Sequence, residues 1–132
     1  FNKKNLLYGN KIYKKTNQNI IFEDGKKAIN IFIDRIEEIS KKNDIKIVLL
    51  FDGYRSFLYK NQNHKKYIYY KLANYMKEKA ITKNFYIVEM HDVFKKNYTR
   101  NKKKFEFEVD YHWNEMGHKL VADELLKLNI FK

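Results

Sequence analysis

Asp110 and His112 stand two residues apart in the string Asp110-Tyr111-His112-Trp113-Asn114-Glu115-Met116-Gly117-His118, and that pairing can carry out base chemistry. An imidazole has an ordinary pKa of roughly 6.5, so near neutrality it can accept a proton and return it. A carboxylate that accepts from Nδ1–H fixes the tautomer, leaves Nε2 free and stabilises the imidazolium that forms. A single turn suffices to join Asp110 to His112, with Trp113 expected to wall the ring and Gly117 to let the following helix approach its neighbour.

Other reactive side chains are sparse. The chain has no cysteine, which excludes disulfides and thiolate metal sites. Its only serines are Ser40, inside an expected helix, and Ser56, shortly after an expected strand. Ser56 could face the same crevice as His112, but an ordinary loop or helix-cap role is the simpler reading. Asp52 could orient Arg55 or cap the next helix, with capping favoured, and His118 reads as a packing or surface residue. His91-Asp92 together with Asp110, His112 and His118 offers imidazoles and carboxylates, yet no fixed ligand spacing supports a metal site. No cofactor motif is present.

These residues need a scaffold. Leu6-Leu7-Tyr8 could be a short strand ending at Gly9-Asn10, and Ile20-Ile21-Phe22 a second apolar patch. Asp24 can cap a helix over 24–42, whose Ile29, Phe32, Ile33, Ile36 and Ile39 make one apolar stripe. The nearly unbroken apolar run 45–51 reads as a strand buried on both faces, as in a parallel sheet. A helix over 64–80 follows, with Ile68, Leu72, Tyr75 and Met76 inward. A strand over 85–90, a short helix over 91–97 and a basic loop over 98–104 come next. The last helix should begin at Asn114 as N-cap and bury Leu120, Val121, Leu125 and Leu128. Helices alternating with buried-type strands predict an α/β fold, and residues 1–132 show no internal boundary. In such sheets working residues lie on loops beyond the carboxyl ends of the strands, where Asp52, Asp92 and the Asp110–His112 loop would fall.

Composition narrows the function classes. At 44% apolar and 17% aromatic, the chain has the material for a packed core. No apolar run approaches the roughly 20 residues that span a bilayer. The formal charge of +12 invites a polyanion partner, but of 28 basic residues only Arg35, Arg55 and Arg100 are arginine. Nucleic-acid recognition leans on the arginine fork, so solvated lysine faces are the better reading. Likewise Tyr67-Ile68-Tyr69-Tyr70 fits core plus amphipathic surface better than a stacking platform. Lys102, Lys103 and Lys104 form a solvated run that could attract an acidic glycan.

Residues 110–125, Asp-Tyr-His-Trp-Asn-Glu-Met-Gly-His-Lys-Leu-Val-Ala-Asp-Glu-Leu, resemble the last motif block of SGNH/GDSL-type hydrolases. They look most like the Asp-x-His-Trp branch that includes alginate O-acetyltransferase-like proteins. The order of expected elements from 24 onward resembles the later half of that flavodoxin-like, three-layer α/β/α fold with its parallel sheet. The resemblance implies a serine-dependent ester hydrolase or O-acyltransferase acting on acyl esters, of carbohydrate or another small ester. It implies Asp110 as orienter, His112 as base and work outside the cytoplasm. The family's Gly-Asp-Ser and Gly-x-Asn-Asp blocks are missing here, Gly9-Asn10 being at best a degenerate echo. A chain that begins at Phe1 and keeps only the later motif is expected to be the C-terminal part of such a domain, with the nucleophilic serine upstream. A non-catalytic binding domain on the same scaffold is the alternative.

Overall fold

A computed structural model of the protein describes residues 18–130. The possible strand at Leu6-Leu7-Tyr8 and the Gly9-Asn10 echo lie outside them. The described residues form an α/β fold: α1 (Gln18–Asn43), β1 (Val48–Phe51), α2 (Arg55–Tyr59), a tight helical turn (His64–Lys66), α3 (Ile68–Thr82), β2 (Tyr86–Glu89), α4 (Met90–Asn101) and α5 (Glu115–Leu126). The strands pair in parallel, with Val48 opposite Tyr86 and Phe51 opposite Glu89. An isolated antiparallel bridge joins Glu106 to Trp113.

Alternation along the strands sorts the apolar residues into two clusters. Ile47, Leu49 and Ile87 meet Ile29, Ile33 and Ile36 of α1 and Met76 and Ala80 of α3. Val48, Leu50 and Val88 turn the other way, toward Met90 and Phe94 of α4, Phe105, and Val121 of α5. Phe94 and Phe105 are fully buried and stack with centroids 4.7 Å apart. Across the first cluster, α1 is tied to α3 by the Tyr75 hydroxyl donating to Asn30 Oδ1 at 2.9 Å. Lys83 just beyond α3 bridges Asp34 and Glu37 of α1.

Several sequence expectations are corrected. The first helix is already formed at Gln18, the first described residue, so Ile20-Ile21-Phe22 lies within it rather than forming a separate patch ahead of 24. Asp24 lies inside the helix, where its carboxylate accepts from Lys27 at 3.1 Å; a solvent-facing Asp there costs too little to end a helix that packs along α3. Phe32 and Ile39 are 45% and 46% exposed, so the buried stripe is Ile29, Ile33 and Ile36. The strand expected over 45–51 pairs only from Val48, and its residues are half-buried rather than fully buried. The helix expected over 64–80 is interrupted at Tyr67, whose extended backbone separates the tight turn from α3. The short helix expected over 91–97 runs on to Asn101 and ends with Lys102 in the left-handed region.

The C-terminal helix follows its expected course. Asn114 is the N-cap, its side chain accepting from Gly117 N–H at 3.1 Å. Val121 is buried, and Leu120, Leu125 and Leu128 pack against its cluster. A Cβ on Gly117 would stand 2.5 Å from the Phe105 carbonyl oxygen, so the helix can approach this loop only through glycine. Phe94→Ala should cost about 3–5 kcal/mol by opening a cavity in the α4–α5 cluster. Ile31→Ala, at a side chain 72% exposed, should stay within about 0.5 kcal/mol. Urea denaturation checks both, and equal losses would show that the core lies elsewhere.

Candidate active site at the end of the first strand

The loop between α4 and α5 folds back on itself as a short hairpin. Phe107 N–H donates to the His112 carbonyl at 2.9 Å, and Tyr111 N–H donates to the Phe107 carbonyl at 3.2 Å. Within it, His112 N–H donates to Asp110 Oδ1 at 3.0 Å, and the His112 ring places Nδ1 3.0 Å from Asp110 Oδ2. Both carboxylate oxygens therefore serve the same histidine, which holds the Asp110 carboxyl below the usual carboxylate range. The contact puts the imidazole proton on Nδ1 and leaves Nε2 with its lone pair. The His112 side chain is 82% exposed, so proton exchange with an incoming group is open.

Between Asp110 and His112 the chain is strained. Tyr111 has φ +62°, a left-handed conformation costly for a residue with a bulky side chain. Arg55 holds it there: Nη2 donates to the Tyr111 carbonyl at 3.2 Å and to Asp52 Oδ2 at 2.9 Å, and Nη1 to Glu106 Oε2 at 2.7 Å. The Arg55 and Glu106 side chains are only 12% and 10% exposed. Asp52 completes the network, its Oδ1 accepting from the Trp113 indole N–H at 2.6 Å. Three segments thus meet at the carboxyl end of β1, where parallel sheets place their working residues.

This geometry corrects two side-chain expectations, for Asp52 and Trp113, and places Ser56. Asp52 does not cap α2, whose N-cap is Tyr54 without a side-chain bond; it orients Arg55 and anchors Trp113. Trp113 does not wall the His112 ring; its indole is held by Asp52 and meets the His118 ring edge-on at 5.6 Å. Ser56 is exposed in α2 and lines a cavity of about 750 Å³ with Asp52, Arg55 and Tyr111. His112 lines a different cavity of about 430 Å³, with Leu50, Asp52, Arg55, Tyr111, Trp113 and His118. The Arg55 clamp is common to both, and among the described residues no hydrogen bond joins Ser56 to His112. The Arg55–Glu106 pair was not foreseen, since its members lie 51 positions apart.

His91 and Asp92 belong to another place. They sit at the start of α4, where the His91 ring lies 4.2 Å from that of His64 and Nδ1 accepts from Tyr54 N–H at 3.4 Å. Among the described residues no group of three or more His, Asp or Glu is placed to hold a metal. Gly53 separates this corner from the Arg55 network. Its φ is +77°, and a Cβ would lie 2.8 Å from the His91 backbone.

Arg55→Gln should cost on the order of 3 kcal/mol, because it leaves Glu106 buried without its cation. Arg55→Gln combined with Glu106→Gln should lose little more than the single change, and additive losses in a double-mutant cycle would refute the clamp. Burial lowers the pKa of both His64 and His91. The unfolded chain therefore takes up these protons first. Stability is full above the ordinary value near 6.5 and falls as pH drops through it toward the folded-state values. Denaturation midpoints should fall between pH 7.5 and pH 5; a constant midpoint would show that neither ring is desolvated.

Comparison of the chain with protein-family models, with curated proteins and with solved structures finds no match. The functional reading accordingly rests on the Asp110–His112 pair and the clamp that holds it.

Proposed function

We propose that these residues are the C-terminal part of a flavodoxin-like, three-layer α/β/α domain of SGNH type, a serine-dependent ester hydrolase or O-acyltransferase. The observation that carries the reading is the 3.0 Å contact between Asp110 Oδ2 and His112 Nδ1 on a ring otherwise exposed beside a cavity. Apolar clusters on both faces of the parallel strand pair are consistent with the layered fold. The substrate class is an acyl ester, of carbohydrate or another small alcohol.

In this reading a serine from outside the described residues attacks the acyl carbonyl while its proton passes to His112 Nε2. Asp110 steadies the imidazolium, and the tetrahedral intermediate collapses as His112 returns the proton to the departing alkoxide. Nε2 then removes a proton from the acceptor as its oxygen attacks the acyl-serine, and returns that proton to the serine oxygen as the acyl–serine bond breaks. Water as acceptor completes hydrolysis, and a carbohydrate hydroxyl completes acyl transfer. Backbone N–H groups near the serine would supply the oxyanion site.

A second reading, a non-catalytic binding domain on the same scaffold, is favoured by the placement of Ser56 and His112 on separate cavities. Aryl-ester hydrolysis by the intact protein separates the two. His112→Ala should lower kcat/KM by about 10²–10⁴-fold, with Ser56→Ala close to the parent. Activity unchanged in His112→Ala would eliminate the catalytic reading.

A further inference from the structure

On the far side of the Gly53 turn, two cavities of about 280 and 290 Å³ share the same four residues: His64, Lys65, His91 and Lys95. His64 is only 9% exposed, sandwiched by Tyr54 at 4.7 Å and Tyr70 at 4.9 Å. No described residue hydrogen-bonds its ring, which borders both cavities. His91 accepts at Nδ1 from Tyr54 N–H, so its proton sits on Nε2 as a donor. Lys65 and Lys95, from different elements, form no ion pair among the described residues. Lys77 on the neighbouring wall is paired with Glu89.

We propose that the 280 Å³ cavity between the His64–Lys66 turn and α4 binds a small multivalent oxyanion of the phosphate or sulfate class, held by Lys65, Lys95 and the His64–His91 pair. Charge decides the side. The wall of this cavity carries two ammonium groups, the side-chain amides of Asn61, Gln62 and Asn63, and no carboxylate. Asn63 Oδ1 already accepts from Lys65 N–H at 2.9 Å, which leaves its amide N–H groups as donors. The adjoining cavity adds Glu89 and Asp92, which repel an anion. At about 30 Å³ per water, the volume admits a tetrahedral oxyanion with part of its hydration. A metal ion is the poorer occupant, because His91 offers a proton rather than a lone pair on Nε2.

Proton uptake accompanies the anion. Facing the two rings are Lys65 from the tight turn, Lys95 and Asp92 from α4, Glu89 from β2, Lys77 and Tyr70 from α3, and Tyr54 from the β1–α2 turn. Burial, the His91 ring and Lys65 lower the pKa of His64, and burial foremost lowers that of His91, so the imidazolium form is disfavoured in both. A dianion against the pair opposes those effects and favours imidazolium, so binding tightens as pH falls.

Imidazole ¹⁵N and amide NMR spectra of the full chain test this, with sulfate as probe because it stays dianionic from pH 5 to 8. Saturable shifts at His64 and His91 are expected with sulfate and with inorganic phosphate, against chloride at equal ionic strength. Affinity for sulfate should rise between pH 7.5 and 5.5, approaching tenfold per pH unit where one proton enters per anion. Lys65→Gln combined with Lys95→Gln should weaken binding about tenfold while the His112 signals stay in place. A linear response that follows ionic strength, or a double variant that binds sulfate as the parent does, would overturn the site. Acetate binding as tightly as sulfate at pH 6.5 would overturn the multivalent class. None of these outcomes depends on esterase activity, so the site stands or falls apart from the catalytic reading.

Discussion

One guanidinium organises the carboxyl end of β1. Arg55 opens α2, Asp52 ends the strand before it, and Glu106 and Tyr111 come from the loop between α4 and α5. The Arg55 side chain is nearly out of water, so its charge must be met by fixed partners in the plane of the fork. Two carboxylates and one carbonyl do so, and the second oxygen of Asp52 passes the constraint on to the Trp113 indole. The left-handed Tyr111 is held inside this network, and the backbone turn it makes sets Asp110 against His112. Loss of the guanidinium would therefore disturb the pair without touching either member.

Local pattern made much of this legible in the sequence. Asn114 and the spacing of Leu120, Val121, Leu125 and Leu128 gave the last helix, because an N-cap and a 3.6-residue period are written in adjacent positions. The Asp-x-His spacing gave the Asp110–His112 contact for the same reason. What stayed hidden was non-local. Phe105, just past the expected basic loop over 98–104, was assigned to no element, yet it stacks on Phe94 at the centre of a cluster. Asp52 looked like a cap because capping is the commonest local use of such a residue; its two oxygens are instead taken one each by Arg55 and by Trp113, the latter 61 positions away. The helical residues before 24 were missed because Asp24 has the chemistry of an N-cap, whereas the packing on α3 carries the helix through it.

The β1–α2 turn faces two environments of opposite character. Asp52 and Arg55 look toward an acid-rich, hydrogen-bonded corner, while Tyr54 looks toward a corner of imidazoles and ammonium groups. Gly53 lies between them with the backbone of His91 pressed against its Cα. A glycine here removes the side chain that would otherwise push the two corners apart. The turn is consequently a rigid partition: its geometry is set by contacts on both sides rather than by its own few residues.

The half-buried strand β1 has a consequence for how the protein behaves in concentrated solution. Among the described residues it pairs on one side only, and the backbone donors and acceptors of Val48-Leu49-Leu50-Phe51 along its other edge find no partner among them. Such an edge is a template for any extended chain that meets it, another copy included. The +12 charge that argued so weakly for a nucleic-acid partner then acquires a different use. Like-charged molecules repel before their edges can meet, and that protection thins as salt shortens the reach of the repulsion.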